Sequence, residues 1–272
     1  MSALAKLDTL PTVDLDGLNS EAALQTRVDR KYIVPRSALA SVLAALPAGT
    51  RVLEVDGERS LRYASQYFDT PDLDSYYGAE LGRRRRFKVR ARTYVDSGGS
   101  FLEVKTRGGR SVTVKARVPI DGDVLDDDAV AYATDLLTDA GIAQAPELAA
   151  ALEPVLVTQY HRATLLMPGE TAEDASRSTI DTGLTWISRD GRVLTLPAAV
   201  IVETKSGRRP GALDRALWRH GYRPAKISKY GTGMAALYPS LPSNKWRRVL
   251  NRHFLPEIAP NPNIATDSLV AA

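Results

Sequence analysis

The sequence predicts an α+β fold, an antiparallel β-barrel or tunnel with helices packed on its outside, and three observations carry that reading. Strand-like runs dominate the chain, helical patterns separate them, and nearly every long strand alternates charged with apolar or mixed side chains. The strand runs fall in two groups: 27–34, 51–55, 61–69, 84–94, 101–106 and 111–120, then 155–166, 178–184 and 198–206. Helical spacing marks 35–46, with Pro35 near its start, 126–140, which opens on acidic residues and closes at Gly141, and 211–219, which closes at Gly221. Ser97-Gly98-Gly99 and Gly108-Gly109 lie between strand runs and read as hairpin turns.

A chain of 272 residues can bury a substantial core as one large domain, placed here at 20–242, with a tail at 243–272. It has no cysteine, which removes disulfides and thiolate metal sites. The first residues carry acidic side chains where a signal peptide needs an apolar core. No later run approaches the roughly 20 apolar residues of a membrane span, so the expected location is cytoplasmic. The net charge of +4 is modest but unevenly spread: 83–117 is basic and 121–139 acidic, which points to an anionic ligand.

Alternation concentrates the chemistry. On the strand through FKVRARTY, Arg86, Lys88, Arg90 and Arg92 share one face and Phe87, Val89 and Ala91 lie on the other. Arg27, Asp29 and Lys31 are in phase, as are Glu103 with Lys105, Lys115 with Arg117, Tyr160 with Arg162, Arg177 with Thr179 and Asp181, and Glu203 with Lys205. A solvated face is the usual explanation of one such run, and alternation alone lets these faces point outward or inward. An inward face leaves Val28, Tyr32, Phe87, Val89, Val200 and Val202 for the helices to cover. It also places Asp29, Glu103, Asp181 and Glu203 among the cations as oxygen ligands for Mg²⁺ or Mn²⁺. In KISKYGTG, Ser228 and Lys229 precede a glycine-containing helix start, where hydroxyl, ammonium and backbone N–H groups can meet an anion; an ordinary capped helix has the same pattern.

Taken together, RVDRKY, QYFDT, FKVRARTY, FLEVK with VTVKARVP, QYHRA, SRSTID, VIVETKSG and KISKYGTG, in that order from about Arg27 to Tyr238, resemble the polyphosphate polymerase domain of the vacuolar transporter chaperone (VTC) family. That family lies within the triphosphate tunnel metalloenzyme (CYTH-like) superfamily. The resemblance implies an eight-stranded antiparallel tunnel open at both ends, charged faces inward, and transfer of the γ-phosphoryl group of ATP to polyphosphate with Mn²⁺ or Mg²⁺. It implies a phosphate grip of Lys31, Arg90, Arg92, Lys105, Lys115, Arg162 and Lys229, hydrogen bonds from Tyr160 and Ser228, a further basic contact from Arg177, and Glu203 as metal ligand. Arg27, Lys88, Arg117 and Lys205 are additional tunnel candidates, and Asp29, Glu103 and Asp181 additional acidic ones.

The superfamily's hydrolases typically carry E-x-E-x-K on the first strand. Arg27-Val28-Asp29-Arg30-Lys31 replaces the first carboxylate with a cation, which favours holding a polymer over hydrolysis. Eukaryotic relatives add an inositol-phosphate-sensing domain and membrane spans, neither of which this sequence shows, so coupling to transport implies a membrane-protein partner.

After Pro242, Trp246, Val249, Leu250 and Phe254 share a helical face and Lys245, Arg247, Arg248 and Arg252 the rest: a basic amphipathic helix, docked on the barrel or lying on a membrane surface or partner. Residues 256–272 read as loose. A tripolyphosphate or nucleoside triphosphate hydrolase and a non-catalytic polyphosphate-binding module are the alternatives. Specific nucleic-acid binding is not expected, because few aromatics accompany the basic strand to stack bases. His161, His220 and His253 are too scattered for a catalytic or metal cluster.

Overall fold

The computed structural model describes residues 5–21, 28–108, 113–169, 175–207 and 209–254. Its strands are β1 (Thr12–Val13), β2 (Val28–Pro35), β3 (Arg51–Leu53), β4 (Leu61–Asp69), β5 (Arg86–Tyr94), β6 (Gly99–Arg107), β7 (Thr113–Pro119), β8 (Glu153–Met167), β9 (Ser176–Ser188), β10 (Val193–Leu196) and β11 (Ala199–Ser206). The helices are α1 (Ala5–Asp8), α2 (Leu15–Glu21), α3 (Leu39–Ala44), α4 (Asp74–Glu80), α5 (Asp127–Asp139), α6 (Ala145–Ala150), α7 (Ala212–Arg219), α8 (Lys229–Leu237) and α9 (Arg247–His253).

Eight strands form one path, β2-β11-β9-β8-β4-β5-β6-β7, with every neighbouring pair antiparallel. β10 pairs with the far half of β9, and β1 and β3 extend the sheet beside β8. The ends of the path, β2 and β7, share no ladder among the described residues, so hydrogen bonds do not close the expected tunnel. The sheet curls nonetheless, bringing Lys105 on β6 within electrostatic reach of Lys31 and Asp29 on β2 and of Glu203 and Lys205 on β11.

The outer faces explain the curl. Phe87, Val89 and Ala91 of β5 and Leu102 and Val104 of β6 pack under Ala129, Ala133 and Leu137 of α5 and Ala145 and Ala149 of α6. Tyr32 and Val34 of β2 and Val200 and Val202 of β11 pack under α3 and α7. Burying these apolar faces outward leaves the charged faces of the same strands inside. Asp214 of α7, wholly buried, fastens this layer: it accepts Tyr32 Oη at 2.6 Å, Thr204 Oγ1 at 2.6 Å and the Gly211 N–H at 2.8 Å. Val28 is the exception among the predicted outward residues, 39% exposed at the start of β2.

α8 does not lie outside. Tyr230 stacks on inward Tyr67 at 5.3 Å, and Trp186 Nε1 donates to the Lys229 carbonyl at 2.8 Å. The helix therefore sits within the curl at the end walled by β4, β8, β9 and β10, where the resemblance implied an open end. The QYFDT segment holds it there: besides Tyr67, Asp69 accepts the Tyr230 hydroxyl and the N–H groups of Thr70, Ser75 and Tyr76, which starts α4 at the same point.

One difference from the sequence reading has a local cause. The strand expected to end at Leu184 runs on to Ser188, because a bulge at Gln159/His161, facing the left-handed Gly183 (φ 60°), shifts the register without ending the pairing. α9 docks through Trp246, Val249, Leu250 and Phe254, all buried in the cluster around α8, so its apolar face is committed to the protein core. Arg27, Gly109 and residues 256–272 lie outside the described residues. No helix among the described residues is long and apolar enough to cross a membrane.

Candidate functional site

Charged side chains of β5, β6 and β7 form the first wall of the interior. Glu103 sits 3% exposed between three cations: Arg90 Nε at 2.8 Å, Lys115 Nζ at 2.9 Å and Arg92 Nη1 at 3.3 Å. Burial pushes its carboxyl up, but Arg90, Arg92 and Lys115 outweigh that and hold it well below the usual carboxylate range. Burial also lowers Lys115, to about 8, against the pull of Glu103.

The opposite wall repeats the arrangement. Asp181, wholly buried on β9, accepts Arg162 Nε at 2.6 Å and Nη2 at 2.9 Å from β8, and Lys229 Nζ from the first turn of α8. Burial raises its carboxyl, yet Arg162 and Lys229 bring it down to about 2. Glu203 on β11 meets Lys205 Nζ and, at 3.9 Å, Lys31 Nζ, while Lys205 also reaches Asp29 at 3.8 Å. Burial is again outweighed, by Lys31, Lys205 and Arg162, and Glu203 stays ionised well below its ordinary range.

The expected carboxylates are therefore inside, but they do not gather. Each of Glu103, Asp181 and Glu203 is bonded to its own cations, and no three acidic or histidine side chains among the described residues lie close enough to cage a metal ion. The reason is register: Arg90 faces Glu103 across β5–β6, Arg162 faces Asp181 across β8–β9, and Lys31 faces Glu203 across β2–β11.

Lys88 differs from the other cations. It is half-buried against the rings of Tyr67 and Tyr230, at 6.0 and 5.7 Å, with its Nζ 2.9 Å from Ser228 Oγ, the N-cap that also accepts the Gly231 N–H at 3.1 Å. Burial, with Lys31, Arg90, Lys105 and Lys245 around it, holds Lys88 well below the normal lysine range. Arg117 lies near the opening over Phe101, and Arg177, beside Lys205 in register, reaches Asn19 Oδ1 at 3.5 Å. The histidines stay apart: His161 is exposed and His220 bonds the Ala216 carbonyl.

The sequence reading named Tyr160 but missed the neutral lining beside it. Inward positions of β4 bring Tyr63, Ser65 and Tyr67 opposite Arg90, Arg92, Thr158 and Tyr160. Ser65 Oγ, Thr158 Oγ1, Thr179 Oγ1, Tyr160 Oη and Arg92 Nε are buried with no hydrogen-bond partner within the protein. Buried donors are normally satisfied, so these groups are suited to ligand oxygens. Burial raises the Tyr160 phenol, but Arg162, Arg92 and Lys229 outweigh it and bring it below its ordinary value. Aromatics also accompany the cations after all, contributed by β4, by β8 and by the hairpin end of β5 and β6.

A family model, the VTC domain, matches residues 26–238. The chain belongs to the VTC-domain family. No curated protein matches it. Among solved structures, this VTC-domain chain is similar to an adenylate cyclase candidate from Vibrio parahaemolyticus at 12% identity and TM-score 0.42, covering 78% of this chain and 98% of that one. A second cyclase candidate, from Bacillus halodurans, gives 13% identity and TM-score 0.38 over 89% of this chain and 95% of that one. An adenylyl cyclase candidate from Hippeastrum, described as having a dominant triphosphatase activity, gives 13% and 0.38 over 81% of this chain and all (100%) of that one.

Proposed function

We propose that this VTC-domain chain is a phosphotransferase that moves the γ-phosphoryl group of ATP onto the end of a polyphosphate chain. The observation that carries the reading is the inward wall of Arg90, Arg92, Lys115, Arg162 and Lys229, whose cations outnumber the carboxylates Glu103 and Asp181 bonded to them. A surplus of buried positive charge is costly until a polyanion enters.

Phosphoryl transfer needs little covalent help: it needs charge neutralised on the equatorial oxygens and the attacking and leaving oxygens in line. An ionised terminal oxygen of the acceptor attacks the γ-phosphorus, the bond to the β,γ-bridging oxygen breaks, and ADP departs with the electron pair. The nucleophile carries no proton that must be removed, so the step needs no general base. Arg90, Arg92 and Arg162 grip non-bridging oxygens, and the unpartnered Tyr160 hydroxyl donates to one of them.

The donor set does not cage a divalent metal, but it suits an ion that arrives on the phosphate. Glu203 and nearby Asp29, both in contact with Lys205, would supply carboxylate oxygens to it, since hard cations take carboxylate and phosphate oxygens together. Such an ion would offset negative charge on the β- and γ-phosphates.

Incubation with ATP and Mn²⁺ or Mg²⁺ is expected to yield acid-precipitable phosphate chains, and Arg90→Ala or Lys229→Ala to lower the yield about 100-fold or more. Release of orthophosphate alone would support a second reading, a tripolyphosphate or nucleoside triphosphate hydrolase. What favours that reading is α8, which occupies one end of the interior and limits the passage of a long product. Tight binding without turnover would leave a polyphosphate-binding module.

A further inference from the structure

Inward positions at the hairpin end of β5 and β6 carry rings instead of charges. Tyr94 and Phe101 meet edge to face at 5.8 Å and 89°, both half-buried, and Arg117 of β7 lays its guanidinium 4.9 Å from the Phe101 ring centre. Register puts Phe101 beside Arg92 on one side and Pro119 on the other, on the same face as Glu103 and two residues before it. The rings continue inward: Tyr63 lies 5.1 Å from Tyr94 and stacks on Tyr160 at 5.5 Å and 6°. Cations border that path, with Arg92 and Arg162 over Tyr63 at 5.7 and 5.2 Å and Lys229 over Tyr160 at 4.4 Å.

We infer that Phe101, Tyr94 and Arg117 form a stacking platform for the base of a nucleoside triphosphate, which enters phosphates first and leaves its base at the opening. A phosphate chain alone has no use for rings there, whereas a base stacks on an aromatic face or an Arg plane. Arg117 is exposed, so it can lift to admit a base against Phe101 or carry one on its own outer face. One strand repeat of about 7 Å separates Phe101 from the first phosphate grip at Glu103 and its cations, which leaves the sugar between them. Stacking reads flatness more than identity, so purines should be favoured over pyrimidines only modestly.

This inference rests on the nucleotide-using reading above, and calorimetric titration with two ligands separates the two. ATP and inorganic tripolyphosphate share the triphosphate and differ in the nucleoside. Phe101→Ala and Arg117→Gln are each expected to weaken ATP about tenfold while tripolyphosphate stays within about twofold, and Phe101→Trp to retain ATP affinity. Equal weakening of both ligands, or unchanged ATP affinity, overturns the platform and leaves the phosphate tunnel standing. If the wild-type protein binds neither ligand, both readings fall together. Circular dichroism of each variant shows whether it folds, and the ATP-to-tripolyphosphate ratio within one variant is independent of the folded fraction.

Discussion

The interior of this curled sheet has two halves built on opposite principles. Toward the opening, Arg90, Arg92, Lys115, Arg162 and Lys229 are held by too few carboxylates, and several hydroxyls have no partner. At the other end, Tyr67, Trp186 and Leu196 close around a helix whose residues from Tyr230 to Leu237 are all buried, with the Tyr230 hydroxyl paired to Asp69. One half is satisfied by the protein itself; under the proposed function the other is satisfied by the polyanion it binds. The difference assigns stability to the filled half and ligand chemistry to the charged half, and substitutions in each should separate accordingly.

The largest expected effect comes from the filled half. A Cβ on Gly233 would fall well inside contact distance of the Trp186 ring, and one on Gly231 likewise against Trp246. On an exposed helix Gly→Ala stabilises by up to about 1 kcal/mol. Here overpacking reverses the sign, and Gly233→Ala should cost about 3 kcal/mol in urea unfolding, with Trp186→Phe recovering part of it. Unchanged or raised stability would mean that α8 rides on the surface and that the comparison is wrong.

Next is Glu103→Gln, which should separate stability from affinity. Removing the carboxylate leaves Arg90, Arg92 and Lys115 uncompensated, and the ligand-free protein should lose about 2 kcal/mol. The same cations then face the ligand without competition. Tripolyphosphate affinity at low salt should rise several-fold, and its salt dependence should steepen. A fall in affinity that appears only when divalent metal is present would show Glu103 acting on a metal instead.

How much of this was legible in the sequence follows from the range of each cause. Period-two alternation is local, so Arg90 and Arg92 opposite Val89 and Ala91 could be read directly, although alternation left the direction of the charged face undecided until α5 and α6 covered the apolar one. The position of α8 was not legible. Gly231 and Gly233 resemble a flexible helix start, and only Trp186 and Trp246, which are distant in sequence, make them packing residues. The carboxylates misled for a similar reason: their spacing suggested a shared metal, but strand register gives each its own Arg or Lys partner. Tyr63 and Ser65 escaped notice because β4 looks like an ordinary mixed strand until it is placed between β5 and β8.

The smallest effect tests the charged half through pH. Lys115, lowered to about 8 chiefly by burial, loses its charge as pH rises through that value, while Arg90 stays protonated and Glu103 ionised. The protonated amine attracts the ligand, so tripolyphosphate affinity should fall between pH 7 and 9. Its side chain is 45% exposed, which limits the fall to a few-fold. Stability of the ligand-free protein should move the other way. The unfolded chain keeps Lys115 protonated to about 10.4, so above pH 8 it binds more protons than the folded chain and folding gains with pH. Lys115→Arg should flatten both slopes, with Lys105 and Lys88, also lowered, supplying what remains. Parallel slopes would mean that Lys115 serves the fold rather than the ligand, and the two halves would then no longer divide between stability and binding.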